Sequence, residues 1–232
     1  MHDSTVEIIS DYLKDHNLIP VQISIMGSHG IGLNAKNSDI DYLVVYAHTL
    51  HDYLGLDELK VLPNTKFNNC DTHFYEAKHF FRLFAKSNVQ CLMSVYTPIF
   101  NLCDLTLLYL RRELPKTNLY TFGNNIMGWI TQDKFKTYNS YYYSLVLEFI
   151  LQYRSLPSSF KYDDLLDSVN LSAQDKIILS EIFYQKKKGK KDTDKHTLDI
   201  QHSFQLIKSS LTNENIIDVN DIWLEFLSEQ II

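Results

Sequence analysis

Three glycines within six residues, Gly27, Gly30 and Gly32, break one apolar run just before a second begins. Val21, Ile23 and Ile25 alternate ahead of them, as in a strand with one buried face. Ile40 to Tyr46 follows and reads as the neighbouring strand. Ser28 sits between the first two glycines, and Ser38-Asp39-Ile40-Asp41 opens the second strand. Asp39 and Asp41 are two apart, so in extended chain both carboxylates point to one side and Ile40 to the other.

Two neighbouring carboxylates repel unless a cation lies between them. Hard divalent ions such as Mg²⁺ take oxygen ligands and bind through a few carboxylates together with substrate phosphates. A glycine-rich turn opens backbone N–H groups toward an anion, because no Cβ blocks the approach. A phosphate cradle beside a metal clamp is chemistry for phosphoryl or nucleotidyl transfer. A glycine hairpin followed by an Asp pair capping a strand accounts for the same letters without function. The Gly-Ser turn just upstream of the acids favours function.

The order Gly27-Ser28, a glycine-containing spacer, Ser38-Asp39-x-Asp41 and an apolar strand resembles the signature of the polymerase-β-type nucleotidyltransferase superfamily. The fuller pattern Gly-Ser-x-x-x-Gly-Leu-x(4)-Ser-Asp-x-Asp is similar to that of predicted nucleotidyltransferases associated with RNA ligases in bacteria and phages. The resemblance implies an α/β (α+β) palm with a small mixed sheet, two Mg²⁺ ions and an NTP donor. It implies that Asp39 and Asp41 bind the metal, that the turn of Gly27, Ser28 and Gly32 holds phosphates, and that Ser38 supports the loop. A site of this type needs a third carboxylate from an adjacent strand. Asp71, in a strand expected over Phe67 to Phe74, is the candidate; an ordinary surface Asp is the alternative.

Asp71, then Tyr75-Glu76, then a helix with the stripe Ala77, Phe80, Phe81, Phe84 and the ending Lys86-Ser87-Asn88 resembles the same family's second block. That block usually continues Asn-Pro and then Glu, whereas here Asn88-Val89 follows and no acid occurs before Asp104. Farther on, family members carry a Lys-x-x-x-His-x-x-Arg-like helix face. Lys136 stands for the Lys and implies a phosphate contact, but Ser140 and Tyr143 occupy the other two slots. Tyr141, Tyr142 and Tyr143 point in different directions on a helix, toward the core or, for one facing the cleft, toward a base.

Several helices complete the expectation. One begins at the capping-box pattern Ser4-Thr5-Val6-Glu7, carries Val6, Ile9 and Leu13, and ends near Asn17. A short one is expected around Asp57 to Leu62. Another follows Asn101–Asp104, with Leu105, Leu108, Tyr109 and Leu114 toward the core. Later ones are expected over Asn124–Lys136, over Tyr138–Tyr153, from Ser172 with Ile177, Ile178, Ile182 and Phe183, over Leu198–Leu211 and over Asp221–Ile232. Strand signals fade after about residue 115, so the chain divides into a palm over 1–115 and a helical domain over 116–232.

The net charge of −6 excludes a general nucleic-acid coat and requires any such contact to be a local patch. Lys186 to Lys191 holds five lysines in six residues and is that patch, either a landing site for nucleic-acid phosphates or a solvated helix end. No apolar run reaches the ~18 residues of a membrane span, and Met1-His2-Asp3-Ser4 lacks the regions of a signal peptide. Cys70, Cys91 and Cys103 are odd in number, so reduced thiols and a cytoplasmic location are expected. Two rival functions remain open: an inactive nucleotide-binding or nucleic-acid-binding module, and an antitoxin-like enzyme that modifies a partner protein's tyrosine.

Overall fold

The computed structural model describes residues 2–101, 104–133, 137–190, 217 and 219–230. Helix α1 (His2–Asp15) leads into β1 (Ile19–Met26), a single turn α2 (Gly27–Gly30), β2 (Asp41–Ala47) and a short α3 (Leu50–Leu54). The hairpin β3 (Thr65–Phe67) and β4 (Cys70–Glu76) follows, then α4 (Ala77–Ala85), α5 (Val89–Ser94) and β5 (Pro98–Asn101). The rest is helical: α6 (Asp104–Glu113), α7 (Leu119–Asp133), α8 (Tyr138–Tyr153), α9 (Tyr162–Ser168), α10 (Ala173–Lys187) and α11 (Asn220–Gln230).

The five strands form one mixed sheet in the order β3-β4-β2-β1-β5. Only β2 and β4 run parallel; the other pairs are antiparallel. Central β2 is buried on both faces, because its alternate residues enter two cores. Tyr42, Val44 and Tyr46 pack with Ile9 and Leu13 of α1. Leu43, Val45 and Ala47 pack with α4, α5 and the later helices. Continuous apolar character is what a strand buried on both sides requires.

The sequence expectations need correction at several points. Helix α1 begins at His2, so Ser4 and Thr5 lie inside it rather than at a cap. Strand β1 is buried on both faces: a register shift between Pro20 and Gln22 turns it, and Gln22 and Ser24 reach inward. Their polar groups are satisfied, Gln22 Nε2 donating to Ser24 Oγ at 2.7 Å and Ser24 Oγ to Ser94 O at 2.9 Å. Phe67–Phe74 is a hairpin, not one strand, since Asn68 and Asn69 have φ of 48° and 64° and make a two-residue turn. The helix expected near Asp57 to Leu62 is absent, and α3 precedes that stretch.

Pro98 opens an edge strand, β5, which the sequence reading did not anticipate. In α6, Leu107 and Leu110 are buried and Leu108 is exposed; in α10, Leu179, Ile182 and Phe183 are buried and Ile177 is exposed. The helix expected over Leu198–Leu211 lies outside the described residues, as do Cys103 and Lys191.

The later helices close over the sheet. Tyr162 N–H donates to Ile31 O at 2.9 Å, and Tyr142 Oη donates to Phe160 O at 2.8 Å. Phe160 in turn meets the rings of Tyr96 and Phe122.

Candidate active site

At the end of β1 the chain turns sharply at Gly27, whose φ is +56°. A left-handed backbone favours glycine here, and space demands it as well. A Cβ on Gly27 would lie 1.8 Å from Asp41 Oδ2, so the Asp41 carboxylate rests directly against the turn. Leu33 N–H donates to Ser28 O at 2.8 Å and folds Gly32 back over that turn. Ser38 closes the loop: its N–H donates to Ala35 O at 3.0 Å, and its Oγ accepts from Ala35 N–H at 2.9 Å.

Parallel pairing sets Asp41 opposite Asp71, and Asp71 N–H donates to Ile40 O at 3.1 Å. Partners in register share a face of the sheet. Asp39 lies before β2, in the loop, so strand alternation is not what aims it. One carboxylate oxygen from each of Asp39, Asp41 and Asp71 nonetheless lies within 4.8 Å of the others. Among the described residues no other group of three His, Cys, Asp or Glu side chains converges in this way.

Burial pushes the Asp41 carboxyl above its ordinary value, and the charges of Asp39 and Asp71 push it further; His73 and His29 oppose the rise. Lys66, opposite Asp71 in the hairpin, sets its Nζ 2.9 Å from Asp71 Oδ1. Three carboxylates so close, two of them partly buried, form an all-oxygen donor set that fits a hard cation such as Mg²⁺. Glu76, in the block that resembles the family's second motif, accepts from the N–H groups of Lys78 and His79 at 2.8 and 2.9 Å and so caps α4.

Two cavities meet at these acids. One of about 240 Å³ is bordered by Gly27, Asp41, Leu43, Gln90, Met93, Asn139 and Tyr143. It continues past Gln90, Asn139 and Tyr143 into a groove of about 480 Å³ that reaches Trp129 and Gln132. The other, about 840 Å³, runs between residues 35–39 and the lysines Lys186, Lys187, Lys188 and Lys190. Ser38 and Asp39 therefore face the basic segment across an open groove. Lys136 lies outside the described residues. Tyr141 and Tyr142 are core residues, whereas Tyr143 lies at the cavity with its hydroxyl pushed up to about 12 by burial.

Sequence reasoning overlooked Lys66, Gln90 and Asn139. Reading Asn68-Asn69 as a two-residue turn would have exposed the Lys66–Asp71 pair, whereas nothing local marks the two amides.

A small mixed sheet whose second strand, with the residues leading into it, and parallel neighbour carry converging acids beside a glycine turn, backed by helices, defines an α/β nucleotidyltransferase fold. The family model described as "RNA repair pathway DNA polymerase beta family" matches residues 14–215, and the chain belongs to that family. No curated protein matches the chain. No solved structure does either. None of the helices among the described residues is long and apolar enough to cross a membrane.

Proposed function

We propose that the chain is a Mg²⁺-dependent nucleotidyltransferase that moves an NMP from an NTP to a hydroxyl group of a nucleic acid, releasing pyrophosphate, and that it works in the cytoplasm. The convergence of three carboxylates, two at or just before the start of β2 and one from the parallel β4, beside a glycine turn carries this reading. Family membership supports the reaction class.

Asp39, Asp41 and Asp71 would hold two Mg²⁺ ions. When bound, the ions would neutralise charge on the phosphates and make the acceptor oxygen a better nucleophile. The backbone N–H groups of the Gly27-Ser28 turn hold the β- and γ-phosphates, with Gly32 and Ser38 keeping the loop in shape and Lys136 as a further phosphate contact. The acceptor oxygen bonds to the α-phosphorus as the bond to the pyrophosphate oxygen breaks in line, and the Asp71 carboxylate takes the hydroxyl proton. Positioning and fixed charge supply most of the rate. The acceptor's phosphates run along the basic segment Lys186–Lys191, of which Lys186, Lys187, Lys188 and Lys190 border the groove beside Asp39.

The test is label transfer from each α-³²P NTP to total RNA in Mg²⁺. The double variant Asp39→Asn, Asp41→Asn should lose transfer by about a thousandfold or more while keeping its circular dichroism. Transfer that survives the double change overturns the reading.

A further inference from the structure

The two cavities that meet at the acids differ in charge, and this difference carries an assignment that rests on the transfer reading above. On the Asp39 side the walls include Lys36 and the lysines of residues 186–190, a surface for phosphates. On the Asp41 side, the cavity of about 240 Å³ has neither Lys nor Arg among the described residues lining it. Asp41 and His73 border it on the side of the metal-site acids, and its remaining walls are apolar at Leu43 and Met93, aromatic at Tyr143, and amide-bearing at Gln90 and Asn139. A nucleotide has one charged end and one flat, neutral end. The neutral end matches a cavity that offers no Lys or Arg to a phosphate, and the continuation of about 480 Å³ toward Trp129 gives room for a purine with its sugar.

The amides narrow the choice of base. Gln90 Oε1 accepts from Tyr75 Oη at 3.0 Å, which engages its carbonyl and leaves its NH₂ group to donate. Asn139 offers both a donor and an acceptor. Side-chain amides pair with the adjacent amino group and ring nitrogen of adenine, whereas guanine is the partner of Arg or Lys. We propose that this cavity holds the base of the donor nucleotide, that Gln90 and Asn139 determine its specificity, and that the base is adenine.

Equilibrium displacement of a fluorescent nucleotide by ATP, GTP, CTP and UTP tests the assignment, using the full chain with Ca²⁺ replacing Mg²⁺ to suppress turnover. ATP should bind about tenfold more tightly than GTP, and the double variant Gln90→Ala, Asn139→Ala should level that preference. No nucleotide binding, equal affinities in the unaltered chain, or a preference that survives the double change overturns the proposal. Both side chains are exposed, so truncation spares the core. Should the variant nevertheless lose its fold, photolabelling of the unaltered chain by 8-azido-ATP decides. Label on peptides containing Gln90 or Asn139–Tyr143 supports the assignment, and label on residues 186–190 overturns it. These are binding measurements: a chain that binds ATP this way yet transfers nothing would sink the transfer reading and leave this one standing.

Discussion

Asp41 carries its charge in a place that disfavours it. The carboxyl is half-buried and has Asp39 and Asp71 beside it, so its folded value lies above the ordinary 3.8. The sign of the consequence follows from linkage. Below pH 3.8 the group is protonated in both the folded and the unfolded chain, and its contribution to stability is at its most favourable. That contribution is lost as pH rises through the folded value, so ionised Asp41 destabilises the fold at neutral pH. Asp41→Asn should therefore raise the Tm at pH 7 without metal, with the difference vanishing toward pH 3.8. Mg²⁺ should then raise the Tm of the unaltered chain but not of the variant, because a ligand stabilises only the state that binds it. Differential scanning fluorimetry over pH, in EDTA and in MgCl₂, checks both. A variant less stable than the parent at pH 7 in EDTA would mean that Asp41 is a structural acid.

The β3–β4 hairpin shows how an element sets a site residue. Asn68 and Asn69 both occupy the left-handed region, and the two-residue turn they make fixes Phe67 opposite Cys70 and Lys66 opposite Asp71. A slip of one residue would move Asp71 to the other face of the sheet. Asn69→Val, a β-branched residue at φ +64°, should cost about 1–2 kcal/mol in urea unfolding. Transfer should fall further than that loss of stability accounts for, since register as well as stability suffers; unchanged transfer would detach Asp71 from the chemistry. Helix α4 was legible in the sequence because one stripe, Ala77, Phe80, Phe81 and Phe84, determines its buried face. The hairpin was not, since Asn-Asn inside an apolar run does not exclude continued strand. Nor was β5, four residues opened by a proline and paired only to β1. Helix α6 carries leucines in two overlapping stripes, and the buried one is decided by packing against α11, more than a hundred residues away.

At the scale of the whole molecule, what the sequence could not reveal is what residues far apart in the chain do together. Asp39 and Asp41 were legible because the strand they open follows directly on the glycine turn, and Asp71 because the chemistry asks for a third acid on a neighbouring strand. The amide pair at the cavity and the groove opposite Asp39 were not, because α5, α8 and α10 meet the sheet only in the folded chain. The division at residues 115 and 116 stands as a proposal about roles: acids on the first part, the far wall of the cleft on the second. Both parts contribute to one apolar core, from Val45 and Phe80 to Leu145 and Phe183. That shared core holds the basic end of α10 across from the acids of a chain whose net charge is −6. The general field of such a chain repels a polyanion, so acceptor binding depends on the few cations at the cleft. Lys186 and Lys188 lie over the rings of Tyr138 and Tyr184, at 5.8 and 5.3 Å from the centroids, which steadies their stems against the protein surface. Replacing Lys186, Lys188 and Lys190 by Gln should weaken single-stranded RNA binding and flatten the dependence of log K on log salt by about 0.7 for each phosphate no longer neutralised. ATP affinity should stay within about twofold, because the base and its amides lie on the other side of the acids. A salt titration by fluorescence anisotropy reads both quantities on the same preparation. An unchanged slope would put the acceptor elsewhere, and a loss of ATP affinity matching the loss of RNA affinity would make the lysines triphosphate ligands instead.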